Sequence, residues 1–146
     1  MYHTRRPVLE VDGFARGPLP LPELLATSNI VSLHVPLTPE THHLIGEREI
    51  ASMLPGSYLI NTGRGGLVDE AALRDAIRRG HLAGAALDVL EHETDGVNPF
   101  ADLPEVIVTP HLGGGSRNSM AGVVERSTAN IRRFLAGERV LDTVIS

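Results

Sequence analysis

The chain has no cysteine. Disulfides and thiolate catalysis are excluded, and cysteine usage carries no message about the redox compartment. No apolar run approaches the roughly 20 residues that a membrane-spanning helix needs. The opening Met1-Tyr2-His3-Thr4-Arg5-Arg6-Pro7 has no apolar core and does not read as a signal peptide, so a cytoplasmic location is expected. A basic stripe is also missing. The formal net charge is -5, and the arginines cluster only as the pairs Arg5-Arg6, Arg78-Arg79 and Arg132-Arg133. Nonspecific nucleic-acid binding needs more than that, so neither a nucleic-acid nor a membrane partner is expected. Seven histidines are present, yet His42-His43 is an adjacent pair without helical spacing and no H-E-x-x-H occurs. No catalytic metal is expected on that count. Internal repeats and low-complexity segments are absent.

What is there describes a globular domain. The 146 residues are enough for one domain with a real core and too few for two large ones. Hydrophobic residues make up 42% and charged residues 21%, ordinary values for a soluble fold. Short apolar runs alternate with helical patterns. Strands are predicted over Ile30–Val35, Ser57–Asn61, Leu82–Val89 and Glu105–Val108. A short helix is predicted from Glu47 to Met53, and a second from an Asp69 cap through Arg79, with Gly80 as its stop. A long helix follows a Ser116 cap to about Ala136, with Met120, Val123, Val124, Ile131 and Leu135 in helical phase. Val8 to Pro20, rich in glycine and proline, reads as a loop with at most a short strand. Strands that are apolar on both faces and alternate with helices imply an α/β fold with a parallel sheet.

Three polar residues follow these runs. Arg64 sits in Ile60-Asn61-Thr62-Gly63-Arg64-Gly65-Gly66, Glu93 lies five residues past Asp88, and His111 sits in Thr109-Pro110-His111-Leu112-Gly113-Gly114. In open α/β sheets, ligands bind outside the carboxyl ends of the strands. A guanidinium, a carboxylate and an imidazole gathered there suit binding of an acid anion and movement of a proton. The plain alternatives are a surface salt bridge for Arg64 and a capping or solvated role for His111.

Four segments together resemble the D-isomer-specific 2-hydroxyacid dehydrogenases. They are Ser32-Leu33-His34-Val35-Pro36-Leu37-Thr38, Ile60-Asn61-Thr62-Gly63-Arg64-Gly65, Ala86-Leu87-Asp88-Val89 and Thr109-Pro110-His111-Leu112-Gly113-Gly114. Each is weak alone, but the four occur in the family's order and spacing and cover nearly the whole chain. Tyr2-His3-Thr4-Arg5-Arg6 is most similar to the glyoxylate/hydroxypyruvate reductase branch. The resemblance implies an incomplete doubly wound, Rossmann-like sheet ending in a long helix. Residues 1–146 are then expected to be part of an NAD(P)-binding domain with the C-terminal helix. The family's first strand and G-x-G-x-x-G loop, which receives the pyrophosphate, have no counterpart here. Neither Gly63-Arg64-Gly65-Gly66 nor Gly113-Gly114-Gly115 has the pattern. The chain is therefore expected to be the C-terminal portion of a two-domain enzyme.

The resemblance also assigns roles. Arg64 would bind the carboxylate and carbonyl of a 2-oxo acid through its planar fork of donors. His111 would be the general acid/base, suited by an unperturbed pKa of about 6.5. Glu93 would orient His111 and favour its charged form. Thr94 stands where the family usually has proline, and the neighbouring Glu91 leaves the register open. Asp88 would bond the nicotinamide carboxamide or, on the plainer view, cap a strand end. Val35, Pro36, Thr62 and Gly63 would line the cofactor path, with Gly113 and Gly114 beside it. Thr41 would contact a ribose or shape its turn. NAD enzymes place an acid at the end of the second strand for the ribose hydroxyls, but this chain has Thr4 followed by Arg5 and Arg6, which suit a 2′-phosphate. NADP is thus favoured over NAD, against the alternative of two solvated arginines. The implied activity is hydride transfer between NADP(H) and a small 2-oxo or 2-hydroxy acid such as glyoxylate or hydroxypyruvate, in a homodimer. The contrasting expectation is a catalytically silent fragment that serves as a structural or dimerisation remnant.

Overall fold

The computed structural model describes residues 1–4 and 17–142. In chain order they form α1 (Leu21–Thr27), β1 (Ile30–Leu33), α2 (Glu47–Ser52), β2 (Tyr58–Asn61), α3 (Glu70–Arg78), β3 (Gly84–Leu87), β4 (Val106–Val108) and α4 (Arg117–Leu135). Short 3-10 turns at Gly65–Leu67 and Glu93–Asp95 follow β2 and β3. The chain divides into two compact units, Met1–Pro110 and His111–Ser146.

The first unit is built on a four-stranded, all-parallel sheet in the order β1-β2-β3-β4. Parallel strands need long crossovers. Here α2 lies in the crossover from β1 to β2, and α3 in that from β2 to β3. The register aligns Leu33, Asn61 and Leu87 across three strands. Their carboxyl ends therefore lie side by side along one edge, the place where such sheets bind ligands.

Alternation along the strands sorts side chains between the faces. Val31, Leu33, Leu59, Ala85 and Leu87 point into one core with Leu25 of α1, Ile50 of α2 and Leu73, Ala76 and Ile77 of α3. Ile30, Tyr58 and Ile107 are exposed on the strands. The sequence pattern predicts strands buried on both faces, whereas these three positions are open to solvent among the described residues.

Helix ends follow the local chemistry. The Asp69 carboxylate accepts the Ala72 backbone N–H at 3.0 Å, and Gly80 ends α3 with φ +69°. Ser116 Oγ accepts the Ser119 N–H at 3.1 Å at the start of α4. Strand β1 stops at Leu33, two residues short of the predicted end, and β3 spans only the centre of the predicted run. Helix α1 has no counterpart among the predicted elements. It is short, and its first turn carries Pro22, tolerated there because that N–H has no intrahelical partner. No described helix is long and apolar enough to cross a membrane.

Candidate active site

Arg64 takes its position from a turn that Asn61 holds together. Asn61 is fully buried at the end of β2. Its side-chain oxygen accepts the Gly63 N–H at 3.0 Å, and its amide donates to the Arg64 carbonyl at 2.9 Å. A third bond from this residue, the Asp88 N–H to the Asn61 carbonyl at 2.9 Å, ties the turn to the end of β3. The next residue must be glycine. A Cβ at Gly65 would stand 2.0 Å from the Leu90 carbonyl carbon, so the Arg64 turn and the segment after β3 are in backbone contact. The Arg64 side chain is exposed, and its guanidinium donates to the Gly63 carbonyl at 2.7 Å.

Beside this turn lies a cavity of about 690 Å³, lined by His34, Val35, Pro36, Leu37, Thr62, Gly63 and Arg64. It opens between the carboxyl ends of β1 and β2. A second cavity of about 510 Å³ shares His34 and Val35 and extends to Tyr2, His3 and Thr4. The predicted positions Thr4, Val35, Pro36, Thr62, Gly63 and Arg64 thus line two adjoining cavities. Backbone, apolar surface and one guanidinium suit a dinucleotide with a small anion at its end. Arg5 and Arg6 lie outside the described residues.

Asp88, nearly buried at the end of β3, accepts a hydrogen bond from Thr109 Oγ1 at 2.5 Å. Thr41 is 3% exposed, and its hydroxyl donates to the Pro36 carbonyl at 2.8 Å and accepts the Thr38 N–H at 2.7 Å. Those contacts match its turn-shaping alternative. Glu93 is exposed in the 3-10 turn, where its carboxylate accepts the Leu90 N–H at 3.1 Å. The rival Glu91 is engaged by His42 and His43. Burial works against the Glu91 charge, but hydrogen bonds and charge from His43 and then His42 outweigh it and lower the carboxyl pKa. Glu70, which accepts the Glu91 N–H at 2.8 Å, is pushed upward, chiefly by burial. In the second unit, His111 is exposed with φ +52°, a left-handed conformation uncommon for a non-glycine residue. Gly113 and Gly114 follow it in an exposed turn.

Asn61 and Thr109 position these groups, and the sequence reading did not single them out. Both stand in the quoted motifs. The signal for Asn61 was a polar side chain ending an apolar run two residues before glycine, a common side-chain-to-backbone turn. Nothing local marks Thr109 as the partner of a residue 21 positions away.

A family model described as "D-isomer specific 2-hydroxyacid dehydrogenase, NAD binding domain" matches residues 1–113. The chain is 42% identical over 135 residues to a glycerate dehydrogenase of Methylorubrum extorquens, covering 90% of this chain and 43% of that protein. A D-isomer specific 2-hydroxyacid dehydrogenase from Xanthobacter autotrophicus, solved with NADPH, superposes with a TM-score of 0.74 at 44% identity, over 86% of this chain and 51% of that one. A D-lactate dehydrogenase from Lactobacillus jensenii, solved with NAD+, gives a TM-score of 0.82 at 33% identity, over 88% and 43%. The chain therefore spans about half the length of these relatives or less.

Proposed function

The chain belongs to the D-isomer specific 2-hydroxyacid dehydrogenase family, and from that premise we propose that it carries the cofactor side of a site that transfers hydride between NADP(H) and a small 2-oxo or 2-hydroxy acid. Glyoxylate and hydroxypyruvate are the favoured substrates. Residues 1–146 are read as part of the coenzyme-binding domain together with its C-terminal helix. The observation that carries the proposal is the exposed Arg64 guanidinium at the rim of the cavity between the ends of β1 and β2.

Val35, Pro36, Thr62 and Gly63 would hold the cofactor through backbone and shape, with Asp88, Gly113 and Gly114 near its nicotinamide end. When bound, a reduced nicotinamide supplies the hydride that reduces the substrate carbonyl. Arg64 would grip the substrate carboxylate and carbonyl with a fixed charge and paired donors. His111 would give the proton that the carbonyl oxygen gains, and Glu93 would favour its charged form. The assignments of Glu93 and His111 rest on the sequence motif. That Glu91 is occupied by two histidines supports Glu93 as the working carboxylate.

NADP is preferred to NAD because Thr4, rather than a carboxylate, lines the second cavity. An acid there would repel a 2′-phosphate. Homologous structures hold NADPH in one case and NAD+ in another, so the preference rests on Thr4. The proposal includes a homodimer in the cytoplasm. A second reading, a silent structural or dimerisation element, draws on the exposed Ile30, Tyr58 and Ile107 of the sheet.

The test is a fluorescence titration with NADPH and NADH, followed by NADPH absorbance with glyoxylate or hydroxypyruvate. Saturable binding that favours NADPH, with substrate-dependent oxidation, is the expected result. Arg64→Gln should keep the binding and lose the oxidation. A chain that binds neither nucleotide would leave only the second reading.

A further inference from the structure

Outside that cavity, one group of titratable side chains converges from distant parts of the chain. His42 and His43 end the turn that follows β1. Glu91 comes from the segment after β3, more than forty positions away. His42 Nε2 lies 3.1 Å from Glu91 Oε1, while His43 Nε2 lies 3.1 and 3.2 Å from the two carboxylate oxygens. The two rings stack with centroids 4.0 Å apart, and one ligand atom from each residue falls within 4.8 Å of the others.

We propose that His42, His43 and Glu91 form a binding site for a divalent transition metal, with zinc as the fitting ion. Two imidazoles and one carboxylate are a donor set that zinc takes readily. Zinc–ligand bonds of about 2.0–2.2 Å in a tetrahedron set neighbouring ligand atoms about 3.3 Å apart. The observed nitrogen–oxygen separations are within a few tenths of an ångström of that edge. The stacked rings would turn out of their near-parallel arrangement to aim both Nε2 lone pairs at one ion, in place of the present hydrogen bonds.

The surroundings hold the ligands in place. The His43 backbone N–H donates to the Gly66 carbonyl at 2.8 Å, and the Glu91 backbone N–H donates to the Glu70 carboxylate at 2.8 Å. These bonds fix the backbone that carries two of the three ligands. Side-chain exposures of 51% for His42, 35% for His43 and 22% for Glu91 leave a coordination position to water. The site is therefore open and exchangeable, unlike a closed four-ligand structural centre. An ion there would staple the turn after β1 to the segment that carries Glu93, two residues beyond Glu91. This inference is independent of the dehydrogenase reading, because its test reads the metal directly.

Zinc is titrated into the 146-residue chain by calorimetry and by competition with a chromophoric chelator. The same is done for His42→Ala and Glu91→Gln, with circular dichroism to confirm folding. The wild type should bind one zinc per chain. Each substitution should weaken binding by at least the about 10- to 100-fold that loss of an outer-sphere partner costs. Absence of one-to-one uptake by the wild type overturns the proposal. So does wild-type affinity in either folded variant, which would place the ion on other histidines. Should Glu91→Gln fail to fold, His42→Ala decides, since its half-exposed ring lies outside the core.

Discussion

Arg64 is exposed, but the residue that places it is buried. Asn61 satisfies one donor and one acceptor of the turn with a side chain that has no contact with solvent. Replacing it with alanine leaves the Gly63 N–H and the Arg64 carbonyl without those partners in a partly buried turn. Asn61→Ala is expected to cost about 1–3 kcal/mol, the usual penalty for orphaned polar groups. Chemical denaturation measures this, and an unchanged midpoint and slope would show that the amide does not organise the turn. Gly65 works at the same scale by a different means. Its missing side chain lets the Arg64 turn touch the Leu90 backbone, so the glycine is needed for space. Its identity was legible in the Gly63-Arg64-Gly65-Gly66 string, whereas the reason for it lay 25 positions downstream.

At the scale of elements, α3 is anchored at both ends. Asp69 caps its first turn, while Arg74 and Arg78 reach from its body to Asp102 in the segment before β4, at 2.8 and 2.6 Å. Arg74 also donates to the Pro99 carbonyl. Hydrogen bonds from Arg74 and then Arg78 hold the Asp102 carboxyl at about 2. An ordinary aspartate titrates at about 3.9, so folding favours the ionised form. The stabilisation is present above about pH 4 and is lost as pH falls through about 2. Asp102 is half exposed, so the effect is modest and weakens with salt. The melting temperature of Asp102→Asn should lie below that of the wild type by a constant margin at pH 5–7. The margin should shrink from pH 4 downward and close below pH 2. A gap that stays at its full size down to pH 2 would assign the effect to something other than the charge. Helix α3 and its cap were readable because they depend on neighbours three or four residues apart. The clasp was not, because it joins residues 24 to 28 positions apart.

Over the whole molecule, apolar surface remains exposed in both units. Ile107 on β4 is 65% exposed, and on α4 Phe134 is 73% and Leu135 79% exposed. Val123, Val124 and Ile131 on that helix are exposed as well. Apolar groups collected along α4 favour association. The chain should sediment as a concentration-dependent oligomer, and Phe134→Glu with Leu135→Glu should shift it toward monomer. A monomer at every concentration would contradict this, as would an oligomer indifferent to the double substitution. The helical phase of α4 was visible in the sequence, but periodicity shows only that an apolar stripe exists, not what covers it.

The sequence by itself determined the alternation of strand and helix, the parallel class of the sheet, the caps of α3 and α4, and the motifs that place the chain in its family. Those features depend on local propensity, on periodicity, or on short strings whose members are neighbours in the chain. Only the tertiary structure decided that Asn61 braces Arg64, that Thr109 bonds Asp88, that Thr41 serves its turn, and that Glu91 meets His42 and His43. The physical reason is that each of the long-range pairings depends on strand register and on backbone approaches of a few ångströms. A parallel sheet brings together residues from separate crossovers, and no local pattern encodes which of them will meet.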